Sequence, residues 1–226
     1  MPGDLSGSSA APAGARVSRP GLFVSIDGPG GAGKSTAVTL IAAQLAARGL
    51  RVHATTEPTR TPLGNLIRAG TYTYRGMALA CLVAGDRHHH LASEIRPERE
   101  AGAIVLCDRY VPSSLVLQRI DGLGWDTIWH INTGADQPDL AVILNANPAV
   151  LSARMSQRGG PHSRFEHEPS GSQAESDLYK DTAMRLAALG WPVCEIDSTA
   201  RTADEVAAIV TDRVLSVDAD RSPHGS

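Results

Sequence analysis

The sequence predicts an α/β fold in three layers, a five-stranded parallel sheet packed between helices. Three observations predict it. Short apolar runs alternate with longer stretches of helical periodicity, the pattern of repeated strand–helix–strand units. The runs are apolar throughout rather than at every second residue, as strands buried on both faces must be. The first run also ends in a glycine cluster that opens a helix, the turn such sheets use to receive a ligand at their carboxyl edge.

Order is expected to begin near Pro20. Residues 1–20 are rich in Gly, Ala, Ser and Pro and lack an apolar segment, so they read as a disordered leader rather than a signal peptide. Leu22 to Ile26 is the first strand. Lys34 to Ala47 carries Leu40, Ile41 and Leu45 at helical spacing and is closed by Gly49. Arg51 to Thr55 is the second strand. A loop with Pro58 and Pro62 follows, then a short helix over Leu63 to Arg68. Met77 to Ile95 is the longest helical stretch. Ala103 to Cys107 is the third strand and ends in Asp108. Helices are expected over Ser113 to Arg119 and briefly over Trp125 to Ile131, and a fourth strand over Asp139 to Leu144. A helix over Ala149 to Gln157 leads into a polar, Gly- and Arg-rich segment, about 158–172. A helix from Ala174 to Leu189, a fifth strand from Val193 to Ile196 and a helix from Ala203 to Val214 complete the pattern. The ordered part, 21–215, is thus expected as one domain, with 216–226 as a flexible tail.

Bulk properties narrow the function. With 226 residues and 42% apolar side chains the chain is sized for one core. A net charge of -3 and 4% aromatics argue against a nucleic-acid binder. Three cysteines, Cys81, Cys107 and Cys194, are far apart and lack metal or redox spacing, which suits reduced thiols in a cytoplasmic protein. No apolar run reaches the roughly 18 residues of a membrane span.

Gly28-Pro29-Gly30-Gly31-Ala32-Gly33-Lys34-Ser35 fits G-x-x-x-x-G-K-[ST], with Thr36 after it. Its context is right, strand before and helix after, so the three-layer fold is expected to be of the P-loop NTPase kind. Glycines let the backbone curl so that successive N–H groups face phosphate oxygens. The helix N-terminus adds its dipole. Lys34 supplies a compact charge for the β- and γ-phosphates of ATP, and Ser35 a hydroxyl for Mg²⁺. Of 21 basic residues only Lys34 and Lys180 are lysine, so arginine usage makes the retained Lys34 notable. Asp108, closing the third strand, is placed to serve the metal beside this loop.

Further motifs follow in order. Asp108-Arg109-Tyr110 with Ser113, Ser114 and Gln118 resembles the D-R-[YFH]-x-x-S-[SN]-x-A-Y-Q signature of thymidylate kinases. Glu57-Pro58-Thr59 and Pro62-Leu63-Gly64 with Arg68 are similar to their E-P-G-G-T-x-x-G…[IL]-R segment. Asp86-Arg87 resembles their A-x-D-R, and Arg158 with Arg164-Phe165-Glu166 their lid. The resemblance runs from about Leu22 to Val214. It implies ATP and Mg²⁺, a nucleoside monophosphate acceptor and a homodimer. It also implies that Glu57, Arg68, Val83, Arg87, Arg109, Ser114, Leu117 and Gln118 line the acceptor site. Arg68 and Arg109 would grip the acceptor's phosphate, Arg87 would bond its base, and Arg158 and Arg164 would close over ATP. The residue types suit this chemistry. Phosphoryl transfer needs two anionic groups held in line with their charge compensated, and arginine forks bind phosphate oxygens bidentately. Arg154 and Arg158, four apart, share a helix face.

Departures from the family pattern cluster on the acceptor side. Leu117 stands where a tyrosine usually excludes a 2′-hydroxyl, Val83 where an aromatic usually stacks on thymine, and Gly30 where an acid usually lies near the 3′-hydroxyl; Thr56 replaces an arginine. Two readings stay open here: dTMP as acceptor, or another nucleotide such as CMP, 5-hydroxymethyl-CMP or a modified ribonucleotide. A P-loop ATPase switch without an acceptor is the alternative of another class. His88-His89-His90 cannot converge on one ion, since successive helical side chains point about 100° apart. Asp86 is expected to hold Arg87 in place.

Overall fold

The computed structural model describes residues 19–159, 164–166 and 171–221. Residues 1–18 of the expected leader and residues 160–163 and 167–170 of the 158–172 segment lie outside them.

Five strands form one sheet: β1 (Phe23–Asp27), β2 (Val52–Thr56), β3 (Ile104–Asp108), β4 (Leu140–Asn145) and β5 (Val193–Asp197). All pairings are parallel, in the order β2-β3-β1-β4-β5. Each strand sits one residue or less from its expected place. The central strands β1, β3 and β4 read as apolar runs because both of their faces are covered.

The two faces have separate cores. Val24 and Ile26 of β1, with Leu106, Val142 and Leu144, pack against α1 (Lys34–Ala46) and the last helix, α9 (Ala203–Asp220). Phe23, Val105, Cys107 and Ala141 point the other way, as alternate strand residues must. That face is covered by the long helical run after β2, by α5 (Val111–Ile120), and by α8 (Gly171–Ala188) through Leu186. Trp125, Trp129 and Trp191 belong to this second core; Trp125 and Trp129 stack at 6.1 Å.

Several helices run longer than the sequence reading. α2 (Pro62–Gly70) starts one residue early, with Pro62 in its first turn and Thr61 Oγ1 accepting the Gly64 N–H. The long stretch is α3 (Gly76–His90), a π-turn over Leu91–Ile95, and α4 (Arg96–Glu100). Pro97 explains the irregularity: it has no N–H to give, and the helix absorbs the break in a wider turn. α6 (Trp125–Ile131) and α7 (Pro148–Gln157) lie close to expectation. The largest correction is at the end. α9 does not stop at Val214 but runs to Asp220, with Val217 against the core and the Asp218 carboxylate paired with Arg19. A capping box between Thr202 and Glu205 starts it.

Candidate active site

The carboxyl ends of β1, β2 and β3 meet at Asp27, Thr56 and Asp108, and a cleft of about 1100 Å³ opens above them. Drug-sized ligand pockets are about 300–1,000 Å³, so this cleft has room for two nucleotides.

One wall is the phosphate loop. Gly28, Gly31 and Gly33 have φ of 145°, 79° and 92°, a region side chains avoid. Close approach adds to this: a Cβ on Gly28 would meet Leu144 O at 2.2 Å, and one on Gly31 would meet Leu151 O at 2.5 Å. Gly31 to Thr36 line the cleft, and Gly30 is buried behind them. Lys34 opens α1, is 6% exposed, and donates from Nζ to the Pro29 carbonyl at 2.8 Å. Its ammonium therefore lies back over the loop it would serve.

Ser35 Oγ donates to Asp108 Oδ2. The other oxygen, Asp108 Oδ1, is buried and has no hydrogen-bond partner among the described residues. A buried carboxylate oxygen left without a donor is costly. A hydroxyl and a carboxylate side by side are hard oxygen ligands that suit Mg²⁺.

Asp27, at the end of β1, is a group the sequence reading left unassigned. It is fully buried and accepts from Tyr110 N, Ser113 N, Ser113 Oγ and Ser25 Oγ. Burial pushes its carboxyl pKa up, against the pull of these four donors. It clamps the phosphate loop's base to the N-terminus of α5, where a carboxylate also meets the helix dipole. Between them lies Arg109, whose φ of 74° is the one left-handed non-glycine conformation among the described residues. That turn puts Arg109 on the cleft wall at the end of β3.

The opposite wall is the expected acceptor side. Arg68 donates to the carbonyls of Pro58 and Thr59 at 2.5 and 2.7 Å, beyond the cis peptide at Glu57-Pro58. Partial burial, reinforced by neighbouring Arg60, lowers its pKa against the pull of Asp86 and Asp108. Arg87 is 1% exposed. It donates to Glu57 at 2.8 Å and Ser114 Oγ at 2.9 Å, and also to Asn132 Oδ1. Gln118 is 4% exposed and its Oε1 has no partner among the described residues. Val83 and Leu117 also line this side.

Two expectations need correction. Asp86 does not hold Arg87: it accepts from Thr59 N and Thr59 Oγ1, both at 2.6 Å, and so pins the 57–61 loop. Arg87 is held instead by Glu57, with His90 Nδ1 on the second Glu57 oxygen at 3.2 Å. Arg164 is not on the cleft wall; it donates to Thr71 O and, at 2.6 Å, to Asp121 Oδ2, while Phe165 beside it does line the cleft. Arg158 is on the wall, as expected. His88 and His89 are exposed and His90 is buried, so the three do not converge.

The sequence reading missed the far end of the cleft. Ser198, Arg201, Thr202 and Ala203 close it, and Arg154 donates to Ser198 Oγ at 3.1 Å and Ser198 O at 2.8 Å. The signal was available, since the loop after β5 leaves the same carboxyl edge as the phosphate loop.

Comparison with known proteins agrees with this geometry. The family model described as thymidylate kinase matches residues 26–221. A probable thymidylate kinase from Pyrobaculum aerophilum is 36% identical over 200 residues, covering 86% of this chain and 97% of that protein. Another from Caldivirga maquilingensis is 37% identical over 142 residues, 61% of this chain and 69% of that one. A thymidylate kinase from Xanthomonas oryzae pv. oryzae is 37% identical over 148 residues, 65% of each chain.

Proposed function

The chain belongs to the thymidylate kinase family, and from that premise we propose that it transfers the γ-phosphoryl group of ATP to dTMP, giving dTDP and ADP. One observation carries the reading. A single cleft is lined at one wall by Lys34, Ser35 and Asp108, and at the other by Arg68, Arg87, Arg109 and Gln118. A nucleotide switch needs only the first wall; the second is what an acceptor requires. Of the relatives named above two are probable thymidylate kinases and one a thymidylate kinase, and this supports dTMP over another acceptor.

In this reading the loop from Gly28 to Thr36 cradles the ATP phosphates, and Lys34 leaves the Pro29 carbonyl for the β- and γ-oxygens. Ser35 and Asp108 hold Mg²⁺, which when bound neutralises charge on those phosphates. Arg68 and Arg109 grip the acceptor's phosphate and aim its oxygen at the γ-phosphorus. Arg87, Ser114 and Gln118 meet the base, with Val83 and Leu117 as apolar contacts. Arg158 approaches from the rim and offsets charge on the transferring group. Catalysis then rests on alignment and fixed positive charge. A cytoplasmic homodimer completes the proposal on family membership alone, and sedimentation analysis tests the oligomer. No described helix is long and apolar enough to cross a membrane.

The test is ADP release from ATP and Mg²⁺ against dTMP, dUMP, UMP, CMP, dCMP, 5-hydroxymethyl-CMP, AMP and GMP. The proposal expects dTMP to give the highest kcat/KM. Turnover independent of any monophosphate would overturn it.

A further inference from the structure

His90 is fully buried and does not line the cleft, yet its polar neighbours Thr55, Glu57 and Glu94 all do. It lies three residues after Arg87 on α3, and residues three apart share a helix face. Both side chains close on Glu57. Arg87 Nε donates to Oε2 at 2.8 Å, and His90 Nδ1 lies 3.2 Å from Oε1. Each oxygen of the carboxylate is thus met from the same turn of helix. On the other side of the ring, Nε2 lies 2.8 Å from Thr55 Oγ1 on β2 and 3.6 Å from Glu94 Oε2, and Glu94 meets His53 at 2.8 Å. α3 ends at His90, where the wide turn over Leu91–Ile95 begins. Such π-turns are frequent at functional sites.

The partners of the ring assign its proton. A carboxylate paired with an arginine only accepts hydrogen bonds, so Nδ1 carries a proton and donates. That bond stops the Glu57 carboxylate from turning about its last bond. Without it, the remaining hydrogen bonds aiming Arg87 among the described residues would be those to Ser114 and Asn132, with Glu57 loosened. A guanidinium donates and never accepts, so its aim decides how strongly the site favours a base edge that carries carbonyls over one that carries an amine. Cys107 Sγ also lies within 4.8 Å of the Glu57 and His90 ligand atoms. Burial pushes that thiol's pKa well up, and it donates to the Arg109 carbonyl at 3.1 Å. With Arg87 already on Glu57, the trio serves as a hydrogen-bonded support rather than a cation site.

We propose that His90 is a positioning residue for acceptor recognition: by donating from Nδ1 to Glu57 it fixes the carboxylate that aims Arg87, and so sets the preference for an acceptor base with a carbonyl edge. The proposal rests on the dTMP reading, in which Arg87 meets the base. No covalent step is involved.

Two substitutions separate this role from packing. Asparagine carries its amide nitrogen where His90 carries Nδ1, whereas glutamine reaches the position of Nε2. His90→Asn therefore keeps a donor for Glu57 and His90→Gln does not. The experiment measures kcat and KM for dTMP and for dCMP at saturating ATP and Mg²⁺ in the full chain and in both variants, with thermal melting to confirm that each is folded. His90→Gln is expected to raise KM for dTMP by about 10-fold, the lower end of what a hydrogen bond to a charged group is worth, because the effect reaches the base through Arg87. Its kcat should change less, and its preference for dTMP over dCMP should fall. His90→Asn is expected to stay close to the unaltered protein in both respects. Equal behaviour of the two variants, whether both keep or both lose the preference, overturns the proposal, because His90 would then serve packing alone. A second measurement needs no variant and decides the matter should His90→Gln not fold. Nitrogen NMR of the His90 ring in the unaltered protein is expected to show Nδ1 protonated, and a ring whose only proton is on Nε2 overturns the proposal. Absence of dTMP turnover in the unaltered protein is a distinct result: it overturns the kinase reading, and the proposed part of His90 in acceptor recognition with it, whatever the ring shows.

Discussion

Arg87 and Glu57 form an ion pair at 2.8 Å with side chains 1% and 3% exposed. Its consequence is asymmetric. Removing Arg87 leaves a carboxylate that His90 still meets at 3.2 Å. Removing Glu57 leaves a buried guanidinium whose remaining contacts among the described residues carry no formal charge: the Ser114 and Asn132 oxygens and the Tyr110 ring at 5.1 Å. Glu57→Ala is therefore expected to destabilise the protein by about 3–5 kcal/mol, the cost of stranding one partner of a buried pair. Urea unfolding measures this, and a loss below about 1 kcal/mol would mean that Arg87 is solvated or paired elsewhere.

The Ser35–Asp108 contact predicts a metal phenotype distinct from a general loss of activity. Asp108→Asn keeps the shape and the bond to Ser35 but removes the charge. Its Mg²⁺ requirement should rise well above that of the unaltered protein, and kcat at saturating Mg²⁺ should fall by roughly 10²- to 10³-fold, typical for losing one electrostatic stabiliser. Lys34→Ala should lose a comparable factor with an unchanged Mg²⁺ midpoint. If both variants show the same metal titration as the unaltered chain, Asp108 is not at the metal.

How much of this was legible beforehand depended on the range of the interaction. The strands and the phosphate loop follow from local rules: continuous apolar runs, and glycines at Gly28, Gly31 and Gly33 where φ is positive. Arg68, Arg87, Arg109 and Gln118 were found by motif, and the fold brings them to one cleft. Groups defined by tertiary packing were not found. Glu175 reaches Gly30 across 145 residues, and no local pattern marks it. Asp86 was read through its neighbour Arg87, but adjacent helical residues point apart, so the two serve different partners. The end of α9 was missed because its last turns are polar, although Val217 and the Arg19–Asp218 pair hold it to the domain.

Leu117 offers a test of sugar choice. It is half-buried on α5 and lines the cleft one residue before Gln118. A tyrosine there would add a rigid ring where a 2′-hydroxyl would have to fit. Leu117→Tyr is expected to raise the preference for dTMP over its ribonucleotide counterpart by about 10-fold, the scale of a modest steric or packing difference in a pocket. The readout is the ratio of kcat/KM values, and an unchanged ratio would place the 2′ position away from Leu117.

Asp121 and Arg164 give the clearest pH prediction. Partial burial alone would raise the Asp121 pKa, but the hydrogen bonds from Arg164 and from the Gly76 N–H win, and the carboxyl lies below its ordinary value of 3.8. A carboxyl depressed in the folded state stabilises the fold above its unfolded pKa, and that contribution disappears as pH falls through the folded value. Arg164→Gln should therefore cost about 1 kcal/mol at pH 7, a figure kept low because the pair is partly open to water. The difference from the unaltered chain should shrink as pH falls below about 4. In the same variant an NMR titration should show the Asp121 carboxyl moving up toward 3.8, while Gly76 still holds it partly down. A carboxyl that titrates identically in both proteins would mean that Arg164 does not rest on Asp121 in solution, and would return this arginine to the cleft, where its sequence position first suggested it.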